Sequence, residues 1–251
     1  MTPRLPWLGL GLLILAQICY PLTSGGARAA VTVTTVVLGF ALSVGHAALT
    51  RGPRVAGALV LVTTGGGLLV EAVGVGTGFP FGDYTYSGQL GPKIAGVPWV
   101  IPLAWTWMAW PAWLAAVRLT HNHAARVLVA GVGLAAWDVF LDPQMVAEGY
   151  WTWSNPSPSL PGIPDVPLGN YLGWLVVAVL MMAALSTVAG TAPGRDAPMY
   201  ALYLWTWCSS ILAHAAFLDL PASAGWGALA MGLVAVPLAA SLVRIDDGVR
   251  A

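Results

Sequence analysis

The chain has 251 residues, of which 58% are hydrophobic and 8% charged, with a formal net charge of zero. A soluble domain carries about 25% charged residues, so this composition excludes a globular protein in water and specifies an integral membrane protein. Without net charge or a basic run, the sequence offers no surface for nucleic acid or for peripheral attachment to anionic lipid.

Windows of about 20 apolar residues can cross a bilayer as helices. In chain order they fall at 6–22, 30–49, 55–75, 97–117, 127–146, 171–189, 198–218 and 225–243. The expected fold is all-α: a polytopic transmembrane helix bundle of about eight spans in one domain, 1–251. Around the first window, Arg4, the apolar stretch and Ala27-Arg28-Ala29 also fit a cleaved signal peptide, which would leave seven spans. The helices that follow favour a retained anchor. Glycine and proline fall both within and between windows, as membrane helices tolerate. Cys19 and Cys208 sit in apolar segments without metal-type spacing and read as packing residues.

Eight spans put Arg4, Arg51, Arg54, Arg118, Arg126, Arg195, Arg244 and Arg250 on one side, and only Arg28 and Lys93 on the other. The excess predicts a multi-pass protein of the cell membrane with both termini in the cytoplasm. Two long loops on the outer side, GTGFPFGDYTYSGQLGPKIAG and AEGYWTWSNPSPSLPGIPDVPLGN, are rich in Pro, Gly and aromatics. Loops of such length are functional caps or disordered, and their Trp and Tyr content argues for caps.

Within AWDVFLDPQM, Asp138 and Asp142 lie four residues apart and so share a helix face. At 1.5 Å per residue from the cytoplasmic side, Glu71 lies ~24 Å deep, Asp138 ~17 Å, Asp142 ~23 Å and His214 ~24 Å, with Asp219 at the outer end of its span. Ionisable residues inside a membrane mark functional sites that face the bundle interior. Structural readings compete: Asp142 precedes Pro143 and fits a helix end, His214 fits an interhelical hydrogen bond, and Asp219 fits a solvated position. His46, His121 and His123 read as structural or solvated. His214 with Glu71 and Asp138 is a conceivable metal set, but no HExxH or Cys/His spacing accompanies it and no metal is predicted. Tryptophan crowds the fourth span at Trp99, Trp105, Trp107, Trp110 and Trp113, and recurs at Trp137, Trp151, Trp153, Trp205 and Trp207. An interfacial belt accounts for part of this. The mid-span Trp105, Trp107 and Trp137 suit a flat polyene, or a carbocation held against ring faces.

The run EAVGVGTGFPFGDYTYSGQLGPKIAGVPWVIPLAWTWMAW, with AWDVFLDPQMVAEGYWTW and GIPDVPLGNYLGW, resembles the carotenoid biosynthesis membrane proteins of the CruF type. The resemblance covers roughly 71–174 with its three motifs in family order, and departs from the family pattern by an insertion between Pro164 and Asn170. It implies a carotenoid hydratase, acting on the terminal double bonds of acyclic carotenoids such as γ-carotene-type substrates or bisanhydrobacterioruberin. The motif positions carried over are Glu71, Thr77, Pro80, Phe81, Gly82, Tyr84 and Tyr86, then Trp137, Asp138, Asp142, Pro143, Trp151 and Trp153, and last Gly162, Pro164, Asn170, Gly173 and Trp174.

Hydrating an unactivated alkene needs a proton donor strong enough to make a tertiary cation, and a water poised on that carbon. No nicotinamide, flavin or haem motif is present, and none is required. A carboxyl group kept neutral by apolar surroundings or a second carboxylate can be that donor. The expected catalytic set is Asp138 as acid with Asp142 or Glu71 as base, the assignment among the three staying open. Tyr84, Trp105 and Trp137 are candidates to stabilise the cation, and Trp151, Trp153, His214 and Asn170 complete the expected substrate site. The implied partners are a lipophilic carotenoid, membrane lipid and other carotenoid enzymes. Two other classes stay open: a membrane prenyltransferase or elongase, because Asp138-xxx-Asp142 matches a diphosphate-binding DxxxD, and a non-catalytic carotenoid-binding or proton-coupled transport protein.

Overall fold

A computed structural model describes residues 4–192 and 194–249, with side chains described to 243. Of the charges used to orient the chain, Arg250 lies outside the described residues and Arg244 outside the described side chains.

Among the described residues the chain makes eight helical passages. They are α1 (Leu5–Cys19), extended by a tight 3₁₀ turn at Tyr20–Leu22; α2 (Gly25–Arg51); α3 (Pro53–Leu59) and α4 (Gly66–Thr77), joined by a π-helical segment Val60–Gly65; α5 (Ile101–Leu119); α6 (His123–Ala135) and α7 (Asp138–Ala147), joined at a break; α8 (Leu168–Ala189); α9 (Ala197–Ala216); and α10 (Pro221–Val249). Six passages are long and apolar enough to cross a membrane. The other two, α5 and α9, carry Trp, Tyr, Pro, Ser and His, which lower the mean hydropathy. The fold is an all-α membrane bundle, and each predicted window coincides with one passage.

Helix α5 is the axis of the bundle. Every residue from Ala104 to Ala116 is buried, and α2, α6, α9 and the π-helical segment pack around it. A helix apolar on all sides belongs inside such a core. Small residues let its large rings in: a methyl group at Gly67 would sit 2.9 Å from Trp105, and Gly39 lies directly under the Trp107 ring. Pro111 lacks the N–H that would bond the carbonyl of residue i−4, Trp107. The Ser43 hydroxyl of α2 donates to that carbonyl instead, at 2.8 Å.

The predicted fourth window begins too early. Val97–Pro98 (β3) pairs with Lys93–Ile94 (β2), so the helix starts only at Ile101. The competing reading of Asp142 as a helix end before Pro143 does not hold: α7 runs through that proline to Ala147, and the break lies upstream, between Ala135 and Asp138.

The two long loops cap one end of the bundle. Tyr84–Tyr86 (β1) pairs antiparallel with Trp151–Trp153 (β4), setting Tyr84 opposite Trp153 and Tyr86 opposite Trp151. Side chains alternate along a strand, so these aromatics turn toward the bundle while Thr85 and Thr152 are exposed. Within the second loop, Ser159–Leu160 (β5) pairs with Ile163–Pro167 (β6); the stretch with the extra residues before Asn170 is thus an ordered hairpin strand leading into α8. Arg28 and Glu148 form an ion pair at this capped end. At the other end Arg51 holds Asp196 at 2.7 Å. Buried His46 accepts from Trp110 Nε1 at 3.0 Å and contacts the Arg195 carbonyl at 3.1 Å, which makes it structural.

Candidate active site

A cavity of about 320 Å³ opens under the β1–β4 cap, within the range of roughly 300–1,000 Å³ usual for small-molecule sites. Its floor and walls come from α4, α5, the α6–α7 break, α7, α8 and α9. Glu71, Asp138 and Asp142 all line it, and each is about 2% exposed. Three carboxyl groups from two distant segments therefore meet in one largely apolar chamber.

Their surroundings differ. Glu71 Oε2 accepts from two phenols, Tyr84 at 2.6 Å and Tyr86 at 2.8 Å. Gly74 makes the first contact possible, since a methyl group there would lie 2.7 Å from the Tyr84 oxygen. Both tyrosines sit in the cap, where burial first and the Glu71 charge second push the phenols well above their usual range, so they stay protonated donors. Asp142 has a donor on each oxygen: Trp151 Nε1 to Oδ1 at 3.1 Å, and Asn170 Nδ2 to Oδ2 at 2.5 Å. Asp138, one helical turn earlier on the same face, has an Oδ2 that is buried with no hydrogen-bond partner.

Aromatic rings surround the acids. Trp105 stacks on Trp174 with centroids 3.5 Å apart, and Trp107 meets Trp137 edge-on at 5.0 Å. Tyr84 lies against Trp153 at 5.7 Å, and Tyr86 against Trp151 at 5.5 Å. Ring faces and edges in these arrangements offer flat apolar surface, and their faces attract cations.

The mouth lies between the end of α1 with its 3₁₀ turn and the last turns of α9. Ile18, Leu22, Leu212 and Phe217 line it and are exposed. All four of these exposed side chains are apolar. Deeper in, Trp205 Nε1 on α9 ties to Gln17 Oε1 on α1 at 2.8 Å.

Of the residues singled out from sequence, Glu71, Tyr84, Trp105, Trp137, Asp138, Asp142, Trp151, Trp153 and Asn170 line this one cavity. His214 does not. It is fully buried behind the wall, between Ser223 and Gln144, so it does not join Glu71 and Asp138 as a ligand set. Among the described residues no cluster of three His, Cys, Asp or Glu side chains is placed to hold a metal ion. Asp219 is exposed in the turn after α9. Sequence reasoning missed Gln144, which lines the chamber. Two residues after Asp142, it falls far from the acidic face of the helix, so its spacing gave no signal.

Paired carboxyl groups and stacked indoles thus share one cavity inside an all-α membrane bundle. The chain belongs to the carotenoid biosynthesis protein family, whose model matches residues 30–238. It is also 36% identical over 149 residues to the bisanhydrobacterioruberin hydratase of Haloarcula japonica, an alignment covering 52% of this chain and 49% of that protein. The chain thus aligns with about half the length of the curated relative it matches. No solved structure matches.

Proposed function

We propose that this protein hydrates the terminal double bond of an acyclic carotenoid end group. The observation that carries the reading is the unequal pair Asp138 and Asp142 inside the aromatic chamber. A carboxylate with a donor on each oxygen is stabilised as the anion. A buried carboxyl oxygen with no partner is costly as a charge and tolerable as a neutral acid.

Asp138 therefore delivers its proton to the less substituted carbon of the terminal double bond, leaving a tertiary cation on the dimethyl carbon against the rings of Trp105, Trp137 and Trp107. A water molecule attacks the cation and loses its proton to Asp142, giving the tertiary alcohol. Return of a proton to Asp138 closes the cycle, so atoms and charge balance without a redox partner. Glu71, held by two phenols, fixes the cap over the chamber. The activity in the relative's name and the family support hydration as the reaction. The polyene enters from the bilayer between α1 and α9, one end group at a time, because 320 Å³ holds an end and not a whole carotenoid.

The arginine distribution supports an orientation with both termini in the cytoplasm of a cell-membrane protein, which puts the capped end and the chamber in the outer half. Cytosolic diphosphates are then remote from Asp138 and Asp142, which weighs against the prenyltransferase reading.

Expression in a lycopene-producing host, with pigment masses measured, tests the function. Gain of one or two waters is expected. Gain of a prenyl unit, or unchanged pigment with abundant protein in the membrane, overturns it.

A further inference from the structure

Pro143 sits inside α7 and has no N–H, so the carbonyl of Val139, four residues earlier, loses its helical partner. The Ser223 hydroxyl of α10 supplies the missing hydrogen bond at 2.8 Å. That bond uses the only hydroxyl proton. Ser223 Oγ is then an acceptor toward His214, whose Nδ1 lies 2.9 Å away and must carry the proton.

An imidazolium here would be a fully buried charge, with Phe140 edge-on at 5.2 Å and no carboxylate in contact. The ring is therefore neutral, and its Nε2 is a bare lone pair. Gln144 is placed with its Oε1 3.1 Å from that nitrogen. Oxygen against a lone pair repels, whereas the amide –NH₂ donates, and the two ends of a glutamine amide are interchangeable in shape. With the amide turned end for end, its nitrogen donates to His214 and its carbonyl oxygen turns to the chamber that Gln144 lines. Tyr20 lines the same chamber, and its buried hydroxyl, which makes no short hydrogen bond, lies beside the Gln144 amide.

We propose that Gln144 is a further catalytic residue, whose carbonyl oxygen, aimed by the Val139–Ser223–His214 chain, accepts a hydrogen bond from the water that captures the cation. Tyr20 is the second polar group available to that water, and His214 and Ser223 are positioning residues. The assignment rests on the hydratase reading. It gives the proton step and the water step to different residues: Asp138 makes the cation, and Gln144 decides whether water or proton loss consumes it. A cation that water does not capture in time loses a proton from a neighbouring carbon and returns to alkene.

This partition is measurable in isolated membranes that carry the full chain, supplied with preformed unlabelled carotenoid and suspended in D₂O. Deuterium in recovered unhydrated carotenoid counts cations that formed and collapsed; hydroxylated carotenoid counts those that water captured. Gln144→Met, similar in shape and without the carbonyl, is expected to raise the exchange-to-hydration ratio at least tenfold while deuterium incorporation persists. Ser223→Ala lets the His214 ring reverse its donor and acceptor nitrogens and turns the Gln144 carbonyl away, raising the same ratio several-fold; it serves if Gln144→Met fails to accumulate. A merely structural role would lower exchange and hydration together and leave the ratio fixed. Wild-type hydration with an unchanged ratio in Ser223→Ala, or in an accumulating Gln144→Met, overturns the assignment alone. Absence of hydration in the wild type overturns the hydratase reading and this assignment with it.

Discussion

Asn170 donates its side-chain amide to Asp142 Oδ2 at 2.5 Å, across the chamber from the Trp151 indole that serves the other carboxylate oxygen. Two donors converging on one acid, one from α8 and one from the β1–β4 cap, make Asp142 a prepared acceptor. Asn170→Leu keeps the volume and removes the donor. A hydrogen bond to a charged group is worth about 1.5–3 kcal/mol, so hydration should fall by roughly ten- to a hundredfold. Product formed per unit of membrane-inserted protein measures it, and an unchanged rate would mean that Asp142 is not the working base.

Asp138 and Asp142 should fail differently. General acid–base catalysis contributes about 10²- to 10⁴-fold, so Asp138→Asn should nearly abolish both hydration and deuterium exchange from D₂O, because no cation forms. Asp142→Asn should lose hydration while retaining some exchange, since Asp138 can still protonate and take the proton back. Matching losses of exchange in both variants would remove the division of labour between them.

Much of this site is legible before the fold is known, and the part that is not has a physical cause. Counting residues along a span gives depth, which brought Glu71, Asp138, Asp142 and His214 to one level. Depth says nothing of azimuth. Three of the four turn into the chamber, and His214 turns away behind its wall. The pairing of Tyr84–Tyr86 with Trp151–Trp153 joins segments far apart in sequence, and only the aromatic-Thr-aromatic alternation of each hints at a strand. Hydropathy also cannot show where a helix changes its hydrogen bonding, as at the π-helical Val60–Gly65. There Thr106 meets Thr63 at 2.6 Å and Thr64 at 2.5 Å.

Tyr84 and Tyr86 tie the cap to Glu71, and their raised phenols make the fold sensitive to alkali. The folded state keeps both protons while the unfolded chain loses them near pH ~10. Their contribution to stability is thus fully present below that pH and declines as pH rises beyond it toward the folded value. Thermal unfolding in detergent micelles should show Tm falling from pH 10 upward. In the Tyr84→Phe/Tyr86→Phe double variant that alkaline slope should be shallower and Tm at neutral pH lower.

The door between α1 and α9 can be narrowed without touching the acids. Ala213 lines the cavity near its mouth on α9, beside exposed Leu212. Ala213→Trp should obstruct a polyene that trails into the bilayer while leaving the chamber behind it intact. Turnover of a full-length carotenoid should drop at least tenfold, and a truncated acyclic isoprenoid bearing the same end group should be hydrated at close to the wild-type rate. Equal losses on both substrates would place the entrance elsewhere.

Pro111 and Ser43 offer a test of how the bundle tolerates proline at its axis. Pro111 leaves the Trp107 carbonyl without its helical donor, and the Ser43 hydroxyl fills the gap at 2.8 Å. Ser43→Ala alone strands a buried carbonyl, which costs about 1–3 kcal/mol. Pro111→Ala restores an N–H at the right place in the helix, so in that background the serine is dispensable and Ser43→Ala should cost far less. The two substitutions should therefore be non-additive by roughly 1 kcal/mol or more in a double-mutant cycle, measured by unfolding in mixed micelles. Trp107 meets Trp137 at 5.0 Å, next to Asp138, so the same cycle read by hydration rate tests the path to the site. Loss of the serine in the proline background should slow hydration beyond what the fall in folded protein explains, because the freed carbonyl lets Trp107 shift against Trp137. Strict additivity in both measurements would show that the serine does no more than pack.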